Sequence, residues 1–313
     1  VRGGAAVTAR QGDPRPMREG DRVAVVAISG PVHRASLERG IRWIERAGHP
    51  VIRGRSLGAR HGFLAGRDAL RASDLDRAIH APGLPALFFA RGGWGAARIL
   101  DRIDLAALRR RPRVLLGFSD LTTLFMALQK GAGSFAYRYG PTVSQLGEAG
   151  AYHQASLREA LYLPSGPLLH PLGRRGVIRP GRGSGRLIGG CLTQLVGLLG
   201  TRYDVSWDGC ILFWEEVNEE PYAIDRMLTQ LRLAGKLSRL AGMIVGRLAG
   251  CEPRGSTPGL PLREIVLDAV RGTRYPVCTG FPAGHIRGKR TLLMGVPAAM
   301  DTARGRLETA AYS

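Results

Sequence analysis

The chain has 313 residues, 44% of them hydrophobic, with a formal charge of +20. That is enough apolar material for one large domain or two medium ones. No apolar run approaches the roughly 18 residues of a membrane span, and the polar, basic start VRGGAAVTARQGDPRP holds no hydrophobic signal core. A cytoplasmic protein with no membrane partner is expected. The charge raises nucleic acid as a partner, but the only lysines are Lys130, Lys236 and Lys289, the arginines are spread through every predicted helix, and no aromatic-interleaved or zinc-finger pattern accompanies them. No nucleic-acid partner is therefore expected. Cys191, Cys210, Cys251 and Cys278 form no C-x-x-C pair, and the seven histidines no H-x-x-x-H pair. Free thiols, no metal and no cofactor follow as expectations.

In chain order, residues 1–17 read as a disordered extension. Residues 22–28 (RVAVVAI) form a continuous apolar strand, SGPV a turn, and 35–47 a helix. The unit repeats with a short strand at 50–53, a helix over 68–79, a buried strand at 85–90 (PALFFA) and a helix starting over 96–100. Val114, Leu115 and Leu116 then form a strand, and Leu121, Leu124, Phe125 and Leu128 recur at helical spacing. This alternation predicts an α/β fold, a mostly parallel sheet with helices on both faces and sites at the carboxyl ends of its strands. From about 147 to 190 the composition shifts to Gly, Arg and Pro (GEAGAYHQ, GRRGVIRPGRGSGR), and 151–186 is expected to be a linker. It separates a first domain over 18–150 from a smaller mixed α/β domain over 187–313, with helices at 192–199, 222–234 and 262–270 and strands at 209–214, 241–245 and 275–278.

Four stretches carry residues suited to chemistry. RGGWGAAR (91–98) follows a buried strand, and its glycines can present bare N–H groups to an oxyanion or simply make a tight turn. It fails the dinucleotide pattern, because Arg98 stands where the last glycine is needed. LLGFSDL (115–121) sets Ser119 where a strand hands over to a helix, a position for an exposed nucleophile or for an ordinary helix cap. ILFWEE (211–216) runs a buried strand into Glu215 and Glu216, one of which can orient an imidazole while the other serves a helix N-terminus. FPAGH (281–285) puts His285 in a Gly/Pro loop, a general base if a serine and a carboxylate converge on it.

The succession GDRVAVVAISGP, GFLAGRD, FFARGGWGAARIL, LLGFSDLTTL, GGCLTQLVGLLGT, ILFWEEVNEEPYAIDRMLTQL and GFPAGH resembles, in order and spacing, the LD-carboxypeptidase family of serine peptidases, from about Arg18 onward. The resemblance implies a flavodoxin-like N-terminal domain bearing the nucleophile and a C-terminal domain bearing acid and base. It implies a triad of Ser119, Glu215 and His285, oxyanion donors in the backbone N–H groups of Gly93 and Asp120, and no metal. It also implies release of the terminal D-alanine from murein tetrapeptides during cytoplasmic recycling of cell-wall fragments, by a homodimer.

Four positions depart from the family pattern. Trp94 replaces a tyrosine in the glycine loop, and Tyr139 stands where histidine is usual. Cys191 replaces an asparagine, and Glu216 an aspartate. Trp94 and Tyr139 are expected near the substrate, while Cys191 is expected to pack at the start of an apolar helix. A microcin-immunity peptidase, which cuts a peptidyl-nucleotide, is the alternative within the family. Such relatives carry a tryptophan between the domains, and residues 147–186 hold none. A basic binding protein that has lost the chemistry is the alternative outside it, and its mark would be a broken triad.

Overall fold

Short, wholly apolar strands need cover on both faces, and the first half of the chain supplies it. In the computed structural model, which describes residues 14–130, 135–162, 166–254 and 259–310, β1 (Val23–Val26), β2 (Val51–Arg53), β3 (Ala86–Phe89), β4 (Val114–Gly117) and β5 (Tyr137–Tyr139) lie parallel in the order β2-β1-β3-β4-β5. That is the flavodoxin-like order, with its reversal between β1 and β3. Alternate residues feed two cores. Val23, Val25, Phe88 and Leu116 pack with Ile41 and Ile44 of the helix Arg34–Arg46, while Val26, Phe89 and Leu115 face the other way.

The chain continues through β6 (Leu168–Pro171), β7 (Val177–Arg179), β8 (Arg182–Cys191), β9 (Ile211–Val217), β10 (Gly242–Ala249) and β11 (Val277–Gly284). β8, β9, β10 and β11 pair in parallel. β12 (Leu292–Met294) then leaves this group and pairs antiparallel with β5 at the edge of the first sheet. β13 (Pro297–Asp301) and β14 (Arg306–Thr309) return, completing a second sheet in the order β6-β14-β13-β8-β9-β10-β11-β7. The chain thus crosses from one sheet to the other and back within β11 to β13, and His285 lies on the first crossing. One apolar core joins the sheets, with Phe89 and Tyr137 of the first and Phe125 of the helix Thr122–Leu128 packed with Leu187, Phe213 and Ile244 of the second.

Residues 151–186 are built structure, not the linker that their composition suggests. They hold the helix Gln154–Tyr162, β6, β7 and the start of β8. The glycines reflect close approach of backbones: a Cβ added at Gly183 would stand 1.8 Å from the Ala241 carbonyl oxygen, and one at Gly185 1.9 Å from that of Gly209. Most of the extension expected over 1–17 lies outside the described residues, but Met17 is buried and donates its N–H to Leu161 O at 2.8 Å. The helix expected from Ala96 is a 3-10 turn, Ala97–Arg102. β11 runs to Gly284, well past its expected end, so His285 follows a strand directly. Among the described residues no helix is long and apolar enough to cross a membrane.

Candidate active site

β4 ends at Gly117, Phe118 is extended, and Ser119 turns sharply with φ of 66° before a helical turn leads into the buried helix Thr122–Leu128. For a residue with a Cβ this left-handed conformation costs about 1–2 kcal/mol. It lifts the hydroxyl off the strand end. The glycine loop after β3 lies directly against it, for a Cβ at Gly92 would come within 2.9 Å of Ser119 Cβ and 3.1 Å of its Oγ. The Gly92 carbonyl accepts the Gly30 N–H at 3.1 Å. Because the peptide is planar and trans, the Gly93 N–H points away from Gly30, and no described group accepts from it. Two side chains hold the loop. Asp120 Oδ2 accepts the Ala96 N–H at 2.8 Å, and the buried Arg71 guanidinium donates to Gly95 O at 2.8 Å and also to Ile28 O.

The second sheet delivers the partners. His285 Nε2 stands 2.9 Å from Ser119 Oγ, and its Nδ1 2.8 Å from Glu215 Oε2. The same Oε2 accepts the His285 backbone N–H at 3.1 Å, and Oε1 accepts the Tyr139 hydroxyl at 2.6 Å. A fully buried carboxylate requires such donors, and here each oxygen has one or two. Gly284 makes this approach possible, since its φ is +121° and an added Cβ would meet Glu215 Oε2 at 2.6 Å. The glycine of the G-H pair is therefore demanded twice, by conformation and by space.

Neighbouring Glu216 faces the other side of β9, as alternation in a strand requires. Its Oε2 accepts the Thr193 N–H at 2.7 Å and the Thr193 hydroxyl at 2.8 Å, and its Oε1 the Val217 N–H at 2.9 Å. Glu216 thus serves the start of the helix Leu192–Gly197. Burial raises its pKa against these hydrogen bonds. Cys191 is buried beside it, and burial, together with the charge of Glu216, pushes the thiol well above its ordinary value. A thiol so held lacks the thiolate character of a nucleophile.

Of the two residues expected against the substrate, Trp94 is 45% exposed beside Gly93, whereas Tyr139 is 1% exposed. Tyr139 lies beneath the serine and the glutamate, its oxygen accepting the Ser119 N–H at 3.3 Å while its proton goes to Glu215. Burial and the adjacent carboxylate hold its own pKa well up. Phe118 supports the histidine, with ring centroids 4.7 Å apart. Arg71 and Lys289 escape a reading by motif. Their signals were an arginine on the apolar face of a helix and one of only three lysines, four residues after the candidate base.

Two family models divide the chain: residues 23–138 match the LD-carboxypeptidase N-terminal domain and residues 184–300 the LD-carboxypeptidase C-terminal domain. The chain belongs to the LD-carboxypeptidase family. A probable murein peptide carboxypeptidase of Bacillus subtilis is 32% identical over 293 residues, covering 93% of this chain and 92% of that protein. The solved muramoyltetrapeptide carboxypeptidase of Oxalobacter formigenes is 26% identical, covers 93% of this chain and 99% of its own, and superimposes with a TM-score of 0.79. A microcin C7 self-immunity protein has a TM-score of 0.84 over 95% of this chain and 98% of its own, but at 21% identity that likeness concerns the fold alone. The protein is accordingly a carboxypeptidase of this family.

Proposed function

We propose that this LD-carboxypeptidase releases the terminal D-alanine of murein L,D-tetrapeptides with Ser119 as nucleophile, His285 as general base and then acid, and Glu215 as the group that orients the imidazole. The observation that carries the reading is the unbroken hydrogen-bond chain from Ser119 through His285 to Glu215, at 2.9 and 2.8 Å. Glu215 fixes the tautomer with its proton on Nδ1, leaving Nε2 free to take the Ser119 proton as Oγ attacks the scissile carbonyl. The N–H groups of Gly93 and Asp120 receive the oxyanion. His285 then protonates the departing amine, and water, activated by the same nitrogen, hydrolyses the acyl-enzyme.

A substrate bearing several carboxylates suits a chain of charge +20. Trp94 is the side chain at the rim of the glycine loop that would meet it. The setting implied by such a substrate is the cytoplasmic recycling of cell-wall fragments, and a homodimer is the state implied by resemblance.

Mass spectrometry of a murein tetrapeptide incubated with the protein and with Ser119→Ala tests this. Loss of one D-alanine with the unsubstituted protein alone supports it. Equal loss with both removes the serine mechanism, and loss with neither removes the murein substrate and turns attention to peptidyl-nucleotides.

A further inference from the structure

The loop that begins at His285 ends in a lysine with no hydrogen-bond acceptor among the described residues. Lys289 is 3% exposed. Its backbone is fixed, since its carbonyl accepts the His153 N–H at 2.8 Å, it bridges with Tyr152, and the next residue, Arg290, donates its N–H to Pro282 O at 2.7 Å. The side chain extends from this clamp towards the nucleophile. Its Nζ lies 4.8 Å from the centre of the Phe118 ring, and that ring is 4.7 Å from the His285 ring and precedes Ser119 in the chain. Among the described residues the Phe118 ring face is the ammonium's one direct partner.

An ammonium has three donors, and burying them without acceptors is costly. Burial, helped by the charge of Arg287 and opposed by Glu215 and Glu148, accordingly lowers the Lys289 pKa to about 8. Neither carboxylate reaches it. The Glu215 oxygens are taken by His285 and Tyr139, and Glu148 is paired with Arg287 at 2.5 Å. A recessed cation of this kind, one ring away from the nucleophile and held by rigid backbone, is a receptor for an anion that arrives with the ligand.

We propose that Lys289 receives the free carboxylate of the substrate's terminal residue and thereby confines the enzyme to cleavage of the last peptide bond. This rests on the carboxypeptidase reading above. The released residue sits one step beyond the attacked carbonyl, about 3.8 Å along the chain, and Lys289 Nζ lies 4.8 Å from the centre of the ring of Phe118, the residue that precedes the serine. A cation there distinguishes a chain end from an internal bond.

The test is a binding measurement in the Ser119→Ala background, so that no turnover is needed. The ligands are a murein tetrapeptide and the same peptide with its terminal carboxyl converted to an amide. Ser119→Ala is expected to bind the acid about 10- to 100-fold more tightly than the amide. Adding Lys289→Met is expected to erase that preference by weakening the acid alone, the unchanged amide affinity reporting an intact fold. Equal affinity for acid and amide before the lysine is replaced, or a preference that survives its replacement, overturns the proposal. If Lys289→Met binds neither ligand, Lys289→Gln takes its place with the same two outcomes. Acid preference in a protein whose unsubstituted form releases no D-alanine would overturn the peptidase reading and leave the role of the lysine standing.

Discussion

Tyr139 donates its hydroxyl proton to Glu215 at 2.6 Å across 76 positions of sequence, joining the last parallel strand of the first sheet to a central strand of the second. The contact makes the seam between the sheets part of the site. With two donors from His285 on one oxygen and the tyrosine on the other, the carboxylate has a single orientation in which it holds the imidazole. Tyr139→Phe removes only the hydroxyl and leaves a buried carboxylate oxygen unpaired. We expect kcat to fall about 10- to 100-fold, as loss of a hydrogen bond to a buried charge implies, with KM nearly unchanged because the ring is buried beneath Ser119 and Glu215. Steady-state kinetics on a tetrapeptide reads both parameters, and a rise in KM with kcat intact would return Tyr139 to the role of a substrate contact.

The Ser119 elbow stores strain that a glycine would release. Comparing Ser119→Gly with Ser119→Ala holds the loss of the hydroxyl constant, so the difference reads the backbone. With φ at 66°, the glycine variant is expected to be the more stable by about 1 kcal/mol, both being inactive. Urea denaturation midpoints measure it, and equal midpoints would mean that the elbow carries no strain.

The parallel sheet, the place of Ser119 at a strand end and the carboxylate on β9 were legible because each rests on local pattern: apolar runs, a Gly-x-Ser-Asp turn, a strand ending in glutamates. The choice between Glu215 and Glu216 was open from the residues, since adjacent positions in a strand face opposite sides and both sides here are buried. In the fold the oxygens of Glu216 go to Thr193 and Val217, and those of Glu215 to His285 and Tyr139. Residues 151–186 looked like a linker because glycine signals both looseness and close packing, and which of these holds depends on strands that arrive later in sequence. Tyr139 and Lys289 were obscure for a related reason. Tyr139 sits on a three-residue strand and Lys289 in a loop, and their roles appear only when the second sheet closes on the first.

His170 predicts an acid-sensitive fold. It is buried in β6 against Phe281, its two ring nitrogens without hydrogen-bond partners among the described residues, and burial, with the charge of Arg290, lowers its pKa from 6.5 to about 4. Between those values the unfolded chain takes up a proton that the folded one refuses, so the stability tied to this residue is full above pH 6.5 and is lost as pH falls towards 4. The loss amounts to about 3 kcal/mol. His170→Leu should remove this part of the acid sensitivity. Urea midpoints at pH 7 and pH 4.5 should differ less in the variant than in the parent, and an identical acid loss in both would assign the sensitivity to the carboxylates instead.

Lys289 should carry a signature of the same sign at alkaline pH. Its folded pKa of about 8 lies below the ordinary 10.5, so between those values the unfolded chain binds the extra proton and stability rises with pH. At pH 7 the buried ammonium imposes its whole net cost, about 3 kcal/mol, the relief given by Glu215 and Glu148 included. Lys289→Met keeps the length of the stem without the charge, and is expected to be more stable than the parent at pH 7 by up to that amount, with the gap closing towards pH 10.5. A tetrapeptide with a free carboxyl should reverse the order, because it neutralises the ammonium in the parent and finds no partner in the variant. Thermal unfolding of the Ser119→Ala protein with and without Lys289→Met, at pH 7 and with saturating ligand, reads both effects. A variant less stable than its parent without ligand would mean that the ammonium is satisfied inside the fold, which is the outcome that a purely structural lysine requires.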